Sequence, residues 1–457
     1  MNRRNFVKQS AQGALLSGST MIFGRETNHS DQTLPNPTGK AVLTSYTPQQ
    51  HGRRLSNIRI CEQGVHKCLR KHLITNYIPG QALYDVQNKN WEPDDRDEQA
   101  LRRFRDAGIG LIQPWSSWAD SSWGKNHLVA KNPAGFRRFV DLVHKIGMKV
   151  IPYTSTQFFE RTDPSFREEW AWPKEYDLVE FDYHLAHCSP ASPAWRAHIL
   201  PRIVRIMDEY GVDGLYNDLG YLRPGDYPDF YGPRRPAAED DVIAFEETAT
   251  QDGALADMLA LLYEEVKRRG GICKLHKEGA DTVHTPAKVY DYLWIGEAVR
   301  DVEWLRETTK SYTPYLVPQR LIRLKPGEEQ ETFLNSIPYL QFPVMGHGQP
   351  GEQGEQYWID FVRWLKAYFP LVEEGTWAYL EIGESDWFSQ PLPRGVVGSA
   401  FANRELYLVL ANYDRTAVEV ATLDDYISTS TEPAISKKIW TLAPRSFEIL
   451  RRVCRDA

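Results

Sequence analysis

The sequence predicts an α/β protein: an eight-stranded parallel β/α (TIM) barrel followed by a small C-terminal antiparallel β-sandwich domain. Two observations carry this. Short apolar runs alternate with helical patterns to give eight strands over about 290 residues, the usual span of a closed β/α barrel. From Trp377 onward the helical period gives way to alternating strands with Asn and Asp at the turns, the pattern of antiparallel hairpins. At 457 residues the chain is long enough for one large domain and a smaller one.

Taken in order, the barrel strands are expected at His72–Tyr77, Ile109–Gln113, Met148–Tyr153 and Val212–Asn217, then Ile272–His276, Tyr290–Ile295, a weaker Tyr315–Val317, and Tyr339–Met345. The helices between them have readable ends. Asn132-Pro133 is a cap followed by proline at the first helical position. Phe136, Phe139, Val140, Val143 and Ile146 then form an apolar stripe at helical spacing, closed by Gly147. Ser192-Pro193 opens the next helix and Gly211 closes it, although Pro201 inside it should produce a kink. Asp252 opens a further helix with Leu255, Met258, Leu259 and Leu262 on one face, closing near Gly270. The C-terminal strands are expected at Gly395–Phe401, Glu405–Asn412, Ala417–Leu423, Lys438–Leu442 and Ser446–Leu450.

The N-terminus reads differently. Arg3-Arg4-Asn5-Phe6-Val7-Lys8 precedes a weakly apolar stretch from Ala14 to Phe23, the build of an export signal of the twin-arginine type. Residues 1–25 are therefore expected to direct the protein to the periplasm or outside the cell, and residues 26–56, rich in Asn, Ser, Thr, Pro and Gln, to form a linker. Residues 57–372 make the barrel domain and residues 373–457 the β domain. No stretch of 18 or more apolar residues provides a membrane span. A formal net charge of −7 excludes a broadly basic, nucleic-acid-binding surface. Five cysteines leave at least one outside any intrachain pair, and the absence of C-x-x-C argues against structural zinc.

Barrel enzymes build their sites at the C-terminal ends of the strands, so the ionisable residues there matter most. In Tyr210-Gly211-Val212-Asp213-Gly214-Leu215-Tyr216-Asn217-Asp218 an apolar strand runs directly into Asp218. A carboxylate in that position costs desolvation energy and so has a partner or a task. Asp213, at the opposite end, is expected to tie the helix–strand turn. Glu297 ends the sixth strand in the same way, after Trp294-Ile295-Gly296. The fifth strand ends in Lys274-Leu275-His276-Lys277-Glu278, where alternation puts Lys274, His276 and Glu278 on one face and makes Glu278 the rival of Glu297.

Aromatic residues crowd the same end: Trp115, Trp118 and Trp123 after the second strand, Phe158 and Phe159 after the third, and Trp170 and Trp172 in the following loop. Flat rings bind the apolar C–H faces of sugars while polar groups fix the hydroxyls. The candidate substrate contacts are Trp115, Trp118, Tyr153, Tyr216, Lys274, His276, Trp294 and His347.

Cys188-Ser189-Pro190-Ala191-Ser192-Pro193, a helix, and then Gly211-Val212-Asp213-Gly214-Leu215-Tyr216-Asn217-Asp218 resemble the hypothetical glycosyl hydrolase barrels related to alpha-galactosidases and alpha-glucosidases. The specific match spans about 30 residues around the fourth strand. In that clan a fourth-strand Asp is the nucleophile and a sixth-strand acid the proton donor; by resemblance those roles fall on Asp218 and Glu297. The resemblance implies hydrolysis of a glycosidic bond by a carboxylate pair; a retaining route is expected, with an inverting one as the alternative that the separation of the two carboxylates would decide. An oligosaccharide or polysaccharide substrate and no cofactor are expected. Two other readings stand beside it. A metal-dependent barrel hydrolase needs clustered His ligands, which Leu73-Ile74-Thr75-Asn76-Tyr77 lacks; His184-Leu185-Ala186-His187 is the only close pair, so no metal is expected. A non-catalytic carbohydrate-binding barrel is the other.

Overall fold

The apolar runs that alternate with helices assemble into one parallel sheet. Its strands are β1 (Leu73–Asn76), β2 (Ile109–Gln113), β3 (Lys149–Val150), β4 (Tyr153–Ser155), β8 (Gly214–Asp218), β9 (Ile272–His276), β10 (Tyr292–Trp294), β11 (Pro318–Ile322) and β12 (Phe342–Met345). Their order is β3-β2-β1-β12-β11-β10-β9-β8-β4, every pairing parallel. The computed structural model describes residues 73–79, 91–114, 116–121, 123–124, 127–172, 174, 176–180, 183–218, 241–276, 290–294, 318–322, 329–339, 342–345, 377–379, 387–402, 405–430 and 433–453, with isolated positions between 359 and 382. The expected export signal and linker lie outside these residues.

The two end strands of the sheet, β3 and β4, are consecutive pieces of the single run Lys149–Ser155. The sequence predicts one strand over Met148–Tyr153; the structure divides it at Ile151-Pro152, and proline offers the ladder no N–H. Ile151 N donates to Ile112 O on one side (2.9 Å), and Pro152 O accepts from Tyr216 N on the other (2.9 Å). The sheet is strongly curled. Lys274 Nζ donates to Gln113 Oε1 at 2.5 Å, although their strands stand five places apart in the order. In a flat sheet that separation is about 24 Å. Strand β11 occupies Pro318–Ile322; the expected seventh strand at Tyr315–Val317 lies outside the described residues.

Helices follow the strands in the way their caps predict. In α1 (Asp95–Asp106) the Asp94 side chain accepts from the N–H groups of Arg96 and Asp97, and Ala100, Leu101 and Phe104 are buried. Helix α2 (Pro133–Lys145) is capped by Asn132 and buries Phe136, Phe139, Val140 and Val143. Helix α3 (Pro193–Tyr210) is capped by Ser192 and ends at Gly211, φ +68°. It runs through Pro201 without a break. Pro201 and Ala197, whose carbonyl loses its donor, are both solvent-exposed, so the lost bond leaves no buried polar group. Helix α4 (Asp241–Arg268) begins eleven residues before the expected Asp252 and buries Leu255, Met258, Leu259 and Leu262 as expected.

Two positions lock the floor of the sheet. Asp213 accepts from Val150 N (2.9 Å) and Lys149 Nζ (3.0 Å) and lies 2.7 Å from His144 Nε2, tying helix to strand as the sequence suggests. Gly214 adopts φ +149°, and a Cβ there would stand 1.9 Å from Ile272 O, inside the β8–β9 ladder. Gly214→Ala is expected to cost about 3 kcal/mol or more, since the clash is with backbone. Chemical denaturation of the two proteins checks it, and an unchanged midpoint would refute the argument.

Between β4 and α3 lies an element absent from the sequence-based expectation: a three-stranded antiparallel sheet, order β5-β7-β6, of β5 (Phe158–Glu160), β6 (Leu178–Glu180) and β7 (Tyr183–His187). It buries His187, whose ring Nδ1 lies 2.7 Å from Trp172 O. Burial pulls the His187 pKa down from 6.5 to about 4, against the carbonyl, which raises it. Between those values the unfolded chain holds a proton that the folded chain does not. Stability from this residue is therefore complete above 6.5 and declines as pH falls towards 4, by about 3 kcal/mol at most. Replacing His187 with Gln is expected to flatten the fall in Tm over that window; an unchanged slope would count against it.

The C-terminal strands correct one expectation. They form one six-stranded antiparallel sheet, order β13-β14-β15-β18-β16-β17, where a two-sheet sandwich is predicted. Its members are β13 (Trp377–Tyr379), β14 (Val396–Ala402), β15 (Leu406–Asn412), β16 (Val418–Ser428), β17 (Lys437–Leu442) and β18 (Ser446–Arg452). The reason is β16, whose eleven residues carry an irregularity between Ala421 and Tyr426. Val418–Ala421 pair with β17 and Tyr426–Ser428 with β18, Tyr426 also standing opposite Lys437 of β17, so one strand joins both neighbours across the irregularity. Both faces of strand β15 are buried. Leu406, Leu408 and Leu410 pack with Trp440 and Leu442, while Tyr407, Val409 and Ala411 join the main core. Tyr413 OH donates to Leu334 O (2.7 Å) and Ser399 Oγ to Pro338 O (2.7 Å), binding this sheet to the segment before β12.

Candidate active site

Strand β8 places Gly214, Tyr216 and Asp218 on one face and Leu215 and Asn217 on the other. Register then decides the neighbours. Asp218 pairs with Ser155 on β4 and His276 on β9, and Tyr216 pairs with Tyr153 and Lys274. The row continues to Tyr292, which pairs with Lys274, and to Trp294, which pairs with His276.

Asp218 is only 6% exposed, and each of its oxygens has a close polar neighbour. Tyr153 OH donates to Oδ2 at 2.8 Å, and His276 Nδ1 lies 2.9 Å from Oδ1. The Tyr153 hydrogen bond offsets part of the cost of burying the carboxylate. The supporting rings are themselves packed: Tyr216 stacks on His276 (6.1 Å, 27°) and meets Tyr153 edge-on (5.6 Å). Below them Lys274 Nζ stands 4.8 Å from the Tyr216 ring centre and donates to Gln113 Oε1. Burial holds the Lys274 pKa well below the usual lysine value.

The structure thus brings together four of the residues singled out from the sequence: Asp218, His276, Tyr153 and Tyr216. Lys274 sits deeper, as a support for Tyr216. Trp118 is fully buried; its Nε1 donates to Tyr153 O (2.8 Å) and its ring stacks on Phe136, so it steadies the strand that carries Tyr153. Trp170 is likewise core, against Phe159, Trp195 and His198. Trp294 occupies its expected strand, its side chain outside the described residues; Glu297, Glu278, Trp115 and His347 also lie outside them. His184 and His187 point to opposite faces of β7, the first against Asp177 (2.9 Å) and the second against Trp172 O, so they converge on no common point.

Two contributors went unrecognised in the sequence. Gln113 is the polar last residue of an otherwise apolar strand, a signal that was available. Tyr183 belongs to the inserted sheet, and its edge-on contact with Trp123 (5.5 Å) depends on a loop path that no local pattern reveals.

Tyr153→Phe removes the donor to Asp218 Oδ2 and leaves the ring packing in place. A hydrogen bond to a charged group is worth about 1.5–3 kcal/mol, so kcat/KM is expected to fall about 10- to 100-fold with the fold intact. Steady-state rates beside a circular dichroism melt test this; a rate within twofold of the parent would refute it.

No family model matches the chain, and no curated protein matches it. Solved structures do resemble it in fold. A GH36 alpha-galactosidase from Geobacillus stearothermophilus, solved with 1-deoxygalactonojirimycin, aligns over 88% of this chain and 59% of its own at 10% identity, TM-score 0.55. This chain therefore spans less than two thirds of that protein. A maltogenic alpha-amylase from Thermotoga neapolitana aligns over 84% of this chain and 99% of its own (11% identity, TM-score 0.54). An alpha-amylase from Geobacillus thermoleovorans, complexed with acarbose, aligns over 85% and 100% (12% identity, TM-score 0.53). At such identities the likeness is one of fold.

Proposed function

We propose that this protein is a glycoside hydrolase in which Asp218 is the nucleophile of a retaining carboxylate pair. The observation that carries the reading is the state of Asp218 itself: a carboxylate at the C-terminal end of a parallel strand, buried, with Tyr153 and His276 on its two oxygens. A group so restrained is preorganised for attack along one line. The fold neighbours, an alpha-galactosidase and two alpha-amylases, lend the sugar chemistry its weight.

The parallel sheet is read as a closed eight-stranded barrel. Support comes from its two ends, which are halves of one strand, and from the Lys274–Gln113 bond across its interior. In this reading Asp218 attacks the anomeric carbon while Glu297, protonated, donates to the leaving oxygen; Glu297 then removes a proton from water. Glu278 is the alternative donor. His276 and Tyr153 hold Asp218, and the aromatic rim takes the apolar face of the sugar. Export by the N-terminal signal puts the enzyme in the periplasm or outside the cell, where oligosaccharides and polysaccharides are met.

The deciding experiment incubates the protein with a panel of aryl glycosides and plant and marine polysaccharides, following the first-released anomer by NMR. Cleavage with retention is the expected result. Binding without cleavage of any member would replace this reading with that of a carbohydrate-binding barrel.

A further inference from the structure

We propose that Tyr183 forms the platform of an outer sugar-binding subsite, joined to the Asp218 site through Trp123, so that the substrate is a chain of sugar units rather than a single glycoside. This rests on the glycosidase reading above. Tyr183 is 40% exposed. An exposed ring alone means little, since scattered surface apolars are ordinary. Its position is what matters. Tyr183 meets Trp123 edge-on (5.5 Å, 69°), Trp123 meets Tyr153 edge-on (6.4 Å, 83°), and the Tyr153 hydroxyl donates to Asp218. A continuous row of rings therefore leads from solvent to the proposed nucleophile. The Tyr183 ring is thus separated from the ring that holds Asp218 by one further aromatic, Trp123.

The strand pattern explains how one tyrosine comes to face both ways. On β7, Tyr183, Leu185 and His187 share a face; Leu185 and His187 are buried and Tyr183 is the member at which burial ends. The platform is also stiff. Glu160, buried on β5, accepts from His184 N (3.0 Å), Thr162 N (3.0 Å) and Thr162 Oγ1 (2.8 Å), and its own N–H donates to Trp123 O (2.6 Å). The residues on either side of the row are thus tied to one carboxylate and one backbone. Little freedom remains to be lost when a sugar face settles on the ring, and that favours binding.

The test uses the full chain with maltohexaose, cellohexaose and mannohexaose, each against the 4-nitrophenyl monoglycoside of the same sugar. For Tyr183→Ala the ratio of kcat/KM on the cleaved hexasaccharide to that on its monoglycoside is expected to fall about fivefold, through KM. Tyr183→Trp restores it. Val179→Ser, on the opposite face of the same sheet at a 63% exposed position, leaves the ratio unchanged. An unchanged ratio in Tyr183→Ala, or an equal fall in Val179→Ser, would overturn the proposal. If the parent protein cleaves none of these probes, the glycosidase reading is judged separately on the wider panel above, and titration of tryptophan fluorescence with the three hexasaccharides still decides the subsite. Saturable quenching weakened in Tyr183→Ala upholds it, and none in the parent overturns it.

Discussion

Asp218→Asn is expected to lower kcat by about ten-thousand-fold or more while leaving sugar binding and the melting temperature close to those of the parent. The amide keeps the size and shape of the carboxylate. Tyr153 OH, which donates to Oδ2, can accept from an amide nitrogen after rotating its hydroxyl, so the packing around Tyr216 and His276 survives. What the amide lacks is the charge and the nucleophilic oxygen. Rates on an aryl glycoside, with calorimetric titration of the inactive protein by the corresponding oligosaccharide, separate the two effects. Turnover within tenfold of the parent would remove Asp218 from the mechanism.

The second large effect separates the two candidate proton donors. A general acid contributes typically 100- to 10,000-fold, and more when the leaving group is poor. In the variant that has lost the donor, Glu297→Gln by the reading preferred here, alkyl glycosides are expected to lose about a thousandfold or more in kcat/KM. Dinitrophenyl glycosides, whose leaving group needs no proton, should lose little at the first step. Glu278→Gln should show no such dependence on the leaving group. The reverse pattern would transfer the role to Glu278 and leave Asp218 untouched, because the nucleophile is required whatever the leaving group.

Much of this architecture was written in short stretches of chain. Asn132-Pro133, Ser192-Pro193 and Gly211 mark helix ends that the structure reproduces at those residues. Asp213 was assigned to the helix–strand turn, where it binds Val150 N and Lys149. Other features escaped. The inserted sheet has strands of only three and five residues, too short for period-two alternation to rise above noise. The clustering of tryptophans in the sequence suggests a sugar-binding rim, yet Trp118 and Trp170 fill the core. Composition cannot make that distinction, since a ring that stacks on a sugar and a ring that stacks on Phe136 are the same residue.

The sequence by itself determined the starts of α2 and α3, the order of the main parallel strands and the position of one carboxylate at the end of one strand, because helical and strand periodicities and caps are satisfied within a few residues of where they are written. Only the tertiary structure decided what surrounds that carboxylate. Tyr153 reaches Asp218 across 65 residues of chain, and His276 reaches it from the strand on the other side. Both meetings depend on register and curl, and a shift of one residue in either ladder would turn those side chains to the opposite face. The same long-range pairing made one sheet of the C-terminal strands and put Tyr183 at the end of a row of rings, since contacts between distant segments are set by packing of the whole and not by any local pattern.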